Sequence, residues 1–154
     1  MPRASYQLAP EYRLGDARPR LFGARKAPAK MSHDELSIDL KTEDGGETLV
    51  VGLRGSLDLA TAPAVRAALT DATERESHNM IVDLTRLEFL DSTGLGVLIG
   101  AHRRTTERGK TLRLIVNDGP ILRLLNITGL IVVFSVYRSM EDARRDCDRL
   151  TAAL

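Results

Sequence analysis

Hydrophobic and polar positions alternate with period two over Leu36-Ser37-Ile38-Asp39-Leu40, the mark of a strand with one buried face. Leu49 to Leu53 forms a second such stretch. Asp44-Gly45-Gly46 between them accepts positive φ, so the pair predicts an antiparallel hairpin. Gly55 is expected to end the second strand, and Ser56-Leu57-Asp58 leads into a helix. That helix takes Thr61 as its N-cap and Pro63 in its first turn, with Val65, Leu69 and Ala72 as its apolar stripe. Met80 to Leu84 predicts a third strand, separated by a loop over 85–91 from a long helix. Leu95, Leu98, Ile99 and His102 fall on one face of that helix, and Gly109 sits at its C-terminal cap. Thr111 to Val116 predicts strand four. Asp118-Gly119-Pro120 opens a short helix with Ile121, Leu124 and Leu125 inward, stopped by Gly129. Ile131 to Val136 predicts strand five. Ser139 and Asp142 form a capping box for a last helix with Met140, Ala143, Cys147 and Leu150 apolar.

The order β-β-α-β-α-β-α-β-α is that of one α/β domain. It predicts a mixed sheet of about five strands, an N-terminal hairpin followed by βα repeats, with about four helices packed on it. The 154 residues suffice for a single core. With 4% aromatics and no Trp, that core is aliphatic and base stacking on nucleic acid is disfavoured. The single cysteine, Cys147, excludes an internal disulfide framework and fits a reducing, cytoplasmic compartment. No apolar run reaches the ~20 residues of a membrane span.

The net charge of +1 hides an asymmetry. Residues 1–30 carry seven basic groups against Glu11 and Asp16, net +5, whereas the remainder carries 15 basic and 19 acidic groups, net −4. Four prolines and aperiodic apolar residues mark 1–31 as a disordered basic extension. Met31-Ser32 resembles an alternative start. The folded domain is expected over 32–154.

The chemistry concentrates in Leu87-Glu-Phe-Leu-Asp-Ser-Thr-Gly-Leu-Gly-Val-Leu-Ile-Gly100. This stretch seats Ser92 at the mouth of a helix, where unpaired N–H groups and the macrodipole favour negative charge. Ser92 is either a cap or a switch, and Asp91 can take the capping duty from it. Gly94-x-Gly96-x-x-x-Gly100 offers a loose dinucleotide fingerprint, hence a small nucleotide-binding enzyme as one reading. Against it, the loop before the first glycine is long, and Asn117 stands where the acidic ribose partner belongs. His33, His78 and His102 lack metal-ligand spacing, and no catalytic constellation emerges. Arg103, Arg104 and Arg108, and again Arg144, Arg145 and Arg149, read as solvated helix faces.

Gly55-Ser56-Leu57-Asp58, Thr61-Ala62-Pro63, Leu87 to Arg103 and Leu124-Leu125-Asn126-Ile127-Thr128-Gly129-Leu130 resemble the STAS domain of bacterial anti-sigma factor antagonists. The resemblance spans about residues 35–150, and Asp-Ser-Thr-Gly-Leu-Gly is the pattern of its phosphorylatable members. It implies a regulatory binding protein, not an enzyme, that works by partner switching. The unmodified form binds an anti-sigma factor that is also a serine kinase of the histidine-kinase-like ATPase class, releasing the sigma factor and so regulating transcription. Phosphorylation at the residue matching Ser92 ends that complex, and a PP2C-type phosphatase restores it. ATP belongs to the kinase, so no cofactor is implied here, and neither nucleic acid nor membrane is a direct partner. Asp58 would border the site; Asp91, Ser92, Thr93, Gly94 and Leu95 would form the docking rim, with Thr93 as second candidate acceptor. Ser56 stands where the family commonly carries Glu. The alternative is a STAS scaffold or sensor module in a stress-signalling complex, working without a phosphate switch.

Overall fold

Alternation becomes architecture through the sheet. In a computed structural model, β1 (Leu36–Glu43) pairs antiparallel with β2 (Thr48–Leu57), and β2, β3 (Asn79–Leu90), β4 (Thr111–Ile115) and β5 (Ser135–Tyr137) run parallel in the order 1-2-3-4-5. The structure describes residues 36–153, with side chains over 36–149, and in the preceding segment two short antiparallel strands, Ser5–Gln7 and Ala9–Pro10. The other residues of the expected disordered extension, and the side chain of Leu150, lie outside the described residues. Among the described residues, no helix is long and apolar enough to cross a membrane.

Successive parallel strands joined by crossovers of one hand place their helices on one face of the sheet. Accordingly α1 (Ala62–Glu74), α2 (Ser92–Glu107) and α3 (Pro120–Ile127) share a core with every second residue of the strands: Leu49, Val51 and Leu53, Met80, Val82 and Leu84, Leu112 and Leu114. The final helix, α4 (Met140–Ala153), packs Ala143 and Cys147 on the opposite face against Val50, Ile81 and Ile115. The β1–β2 connection is a 3-10 turn at Asp44–Gly46 with positive φ at all three residues, as the glycines predict. Gly109 and Gly129 also adopt positive φ just past the ends of α2 and α3.

Three expected strand boundaries fail. Strand three does not stop at Leu84 but continues to Leu90, so most of the expected loop over 85–91 is strand. Likewise Gly55 does not end β2: with φ of 110° it sits at an irregularity, and pairing resumes as Ser56↔Phe89 and Leu57↔Leu90. Two register shifts break period two without ending the ladder. The third concerns the fifth strand. Leu130–Val132 is a 3-10 turn, Phe134 is buried with its ring edge-on to His102 at 5.5 Å, and pairing begins only at Ser135.

The arginines of α4 face solvent, as expected, and each also pairs with a carboxylate. Arg144 forms a bidentate pair with Glu43 of β1, Arg145 bonds Asp142, and Arg149 bonds Asp146. Beneath them Arg113, 2% exposed, donates to Asp146 at 2.9 Å and to the Thr111 hydroxyl at 2.6 Å. The Tyr137 hydroxyl donates to the same Asp146 oxygen at 2.6 Å. That bond, reinforced against desolvation by those from Arg113 and Arg149, holds the Asp146 carboxyl down at about 2. Desolvation, followed by the bond to Asp146, pushes the Tyr137 phenol up.

Candidate functional site

The pairing Leu57↔Leu90 makes β2 and β3 end at one edge of the sheet, and each chain leaves that edge through an aspartate. At the end of β2, Asp58 Oδ1 accepts the N–H groups of Ala60 and Thr61 at 3.0 and 3.1 Å. The Thr61 hydroxyl donates to the Ser56 carbonyl at 2.7 Å and accepts from the Asp58 N–H. Thr61 thus stands at the N-cap position of α1, as expected, and its carbonyl accepts the Val65 N–H, but its side chain supplies no cap. The residue has helical φ and ψ and makes no side-chain cap bond, because its hydroxyl closes the turn that Asp58 organises. At the end of β3, Asp91 is extended, its N–H reaches the Leu57 carbonyl at 3.4 Å, and its Oδ1 accepts the Gly94 N–H at 3.0 Å. Asp91 is the N-cap of α2.

With the cap supplied by Asp91, Ser92 is the first residue of α2, exposed, and its hydroxyl makes no hydrogen bond among the described residues. Thr93 is half-buried. Gly94 and Leu95 are buried and face inward. A Cβ at Gly94 would lie 2.6 Å from Leu90 Cδ1, 2.7 Å from Leu57 Cγ and 2.9 Å from the Leu57 carbonyl oxygen. Gly94 thus lets the start of α2 press onto the ends of β2 and β3, joining the two aspartate turns. The expected rim divides accordingly: Asp58, Asp91, Ser92 and Thr93 reach the surface, whereas Gly94 and Leu95 hold them from below. Gly96, one turn on, is exposed and a Cβ there would meet nothing within 4 Å. Gly100 lies against the Arg104 guanidinium. Close packing thus explains Gly94 without a dinucleotide, whereas nothing in the structure requires glycine at 96.

Beside these two turns, two exposed apolar side chains escaped the sequence reading. Leu59, 75% exposed, follows Asp58 in its turn, and Phe89, 51% exposed, stands on β3 three residues before Ser92. A leucine isolated among the polar residues of a turn is a signal that sequence alone offers. Phe89 offers none, because its exposure depends on the irregularity in β3.

This arrangement can accept a phosphoryl group. A helix N-terminus stabilises the added charge, and the exposed oxygen is open to a kinase. It holds no nucleophile–base pair of its own.

Comparison with known proteins converges on one family. The model of the STAS domain family matches residues 37–143. The anti-sigma-B factor antagonist of Listeria monocytogenes is 34% identical over 101 residues, which cover 66% of this chain and 88% of the relative. The crystal structure of an anti-sigma factor antagonist from Mycobacterium paratuberculosis superposes with a TM-score of 0.66 at 26% identity, covering 73% of this chain and 94% of that one. The Bacillus cell fate determinant SpoIIAA in its phosphorylated form superposes with a TM-score of 0.56 at 27% identity, covering 74% and 99%.

Proposed function

The chain belongs to the STAS domain family, and from that membership we propose that it is an anti-sigma factor antagonist switched by phosphorylation at Ser92. Unmodified, it binds an anti-sigma factor that is also a serine kinase of the histidine-kinase-like ATPase class, and so frees the sigma factor. It acts as a binding module in the bacterial cytoplasm, a regulator of transcription through proteins and not an enzyme. Phosphorylation by the bound kinase ends the complex, and a PP2C-type phosphatase reverses it. Asp58, Asp91, Ser92 and Thr93 form the contact rim, with Gly94 and Leu95 setting its shape.

One observation carries this reading: the Ser92 hydroxyl is exposed and free of structural duty, because Asp91 caps the helix in its place. A phosphate there adds about −1.5 to −2 charge. The helix N-terminus tolerates it, so the fold stands, while an acidic surface docked on the same rim does not. At an effective dielectric near 20, two unit charges about 5 Å apart interact by roughly 3 kcal/mol. With about 1.4 kcal/mol per tenfold, that is roughly a hundredfold in affinity.

The test is binding of the purified kinase to Ser92→Ala and Ser92→Asp, with intact mass after incubation with ATP. Ser92→Ala should bind persistently, Ser92→Asp should bind about a hundredfold more weakly, and the wild type alone should gain about 80 Da, a phosphoryl group. Equal affinities for the two variants, or a mass gain retained in Ser92→Ala, would refute the assignment.

A further inference from the structure

We propose that the exposed patch on the sheet's second face where Arg54 and Arg86 stand side by side next to Phe89 docks an acidic segment of the protein that engages Ser92; this rests on the partner-switching reading above. The register places it. On the face that carries α4, one row runs Lys41–Val50–Ile81–Arg113 and the next Asp39–Gly52–Asp83–Ile115–Tyr137. The apolar members of these rows, Val50, Ile81, Ile115 and Tyr137, pack against α4 residues. Towards the Ser92 edge follow Ser37–Arg54–Arg86 and then Ser56–Phe89. Ser37, Arg54, Arg86 and Phe89 are all exposed.

The chemistry selects the occupant. Arg54 and Arg86 are cross-strand neighbours, a like-charge pair that an anion would relieve. Asp39 and Asp83 stand one row away on the same face, but Asp83 is engaged by Thr85 and neither forms an ion pair with these arginines among the described residues. Neither arginine side chain forms a hydrogen bond or ion pair among the described residues, although Glu88 lines the same open hollow of about 420 Å³. A second copy of the chain would bring arginine to arginine across a two-fold axis. The chain's own first 30 residues, net +5, would meet the same repulsion. Nucleic acid needs more than two cations and a run of stacking rings to bind firmly. An acidic protein segment fits: carboxylates pair with the two guanidinium groups, preferably bidentately, and an apolar residue covers Phe89. Phe89 lies three residues before Ser92 along β3, so one partner can grip the rim and reach round the sheet edge to this face.

Two measurements on the full chain decide the matter. In the first, a short capped peptide of glutamates flanking one leucine is titrated into labelled protein and amide resonances are followed. Those of Arg54, Arg86 and Phe89 should shift saturably and weaken with added salt, and the double variant Arg54→Glu/Arg86→Glu should lose these shifts. Shifts confined to the basic residues of 1–30, or no shifts, would overturn the proposal. In the second, the double variant should bind the anti-sigma factor kinase at least tenfold more weakly than wild type. If Ser92→Ala and Ser92→Asp still differ while the double variant binds like wild type, the switch stands and this surface does not. Should those two Ser92 variants bind alike, the partner reading fails and takes with it the shared partner claimed here, whatever the peptide does.

Discussion

Replacing Gly94 with alanine probes how the site is built. The added methyl would sit below 3.0 Å from three atoms, two on buried leucines and the third the Leu57 carbonyl oxygen. A flexible side-chain tip could yield; a backbone carbonyl at the end of β2 cannot do so without moving Asp58. Overpacking of this kind costs about 1–3 kcal/mol, and three simultaneous contacts place Gly94→Ala near the top of that range. Alanine in place of glycine inside a helix returns about 1 kcal/mol. The net loss is therefore about 2 kcal/mol, or roughly 8 °C in Tm for a domain of this size. Gly96→Ala is the internal control, because the same substitution two residues on meets nothing within 4 Å. It should stabilise by up to about 1 kcal/mol through helix propensity alone. Urea denaturation with a shared m-value reads both. If the two variants move the midpoint in the same direction, the claim that Gly94 is a close-approach glycine is wrong.

Three further outcomes follow from the same contacts. Asp91→Ala removes the bond to the Gly94 N–H and should cost about 1 kcal/mol in denaturant unfolding, with far-UV helix content otherwise kept. Asp146→Asn leaves the guanidinium of Arg113 buried without its carboxylate and should cost about 3–5 kcal/mol by the same assay. The Asp146 carboxyl titrates at about 2 in the folded protein against an ordinary value of 3.8, so its contribution is complete above pH 4 and drains away as pH falls towards 2. That gap is worth about 2 kcal/mol; stability measured between pH 4 and 2 should fall more steeply in wild type than in Asp146→Asn.

What could be read from the chain depended on whether a feature was local. The hairpin was legible because period two and the Asp44-Gly45-Gly46 turn lie within one stretch, and α1 and α2 because their stripes recur at helical spacing. The helix mouth at Asp91-Ser92 was legible for the same reason, though the sequence left open which of the two caps it, and the bond from the Gly94 N–H decides for Asp91. The length of β3 was not. Leu84, Leu87 and Leu90 all face the three-helix core although they lie three apart, a spacing that contradicts simple alternation. Two irregularities against β2 supply the extra residues, and they are set by pairing with a strand some thirty positions away. The apolar run Ile131 to Phe134 misled for a different reason. Burial of Phe134 beside His102 draws the chain into a turn before the sheet edge is reached. The adjacency of Arg54, Arg86 and Phe89 is likewise a product of register, invisible in any single segment.

Five strands in sequential order, with three connecting helices on one face, leave among the described residues a single terminal helix to cover the other. Its partners on the two longest strands, Val50 and Ile81, lie in their first halves, whereas β2 and β3 run on for ten and twelve residues, over 30 Å at a strand's rise. Beyond that patch Arg54, Arg86 and Phe89 are exposed, towards the end from which Asp58 and Asp91 depart. There arginine and a half-exposed phenylalanine occupy positions on the same face that Val50 and Ile81 fill under the helix. The topology that seats Ser92 on the crowded face thus also opens the opposite face beside it, and a protein that grips the one has direct access to the other.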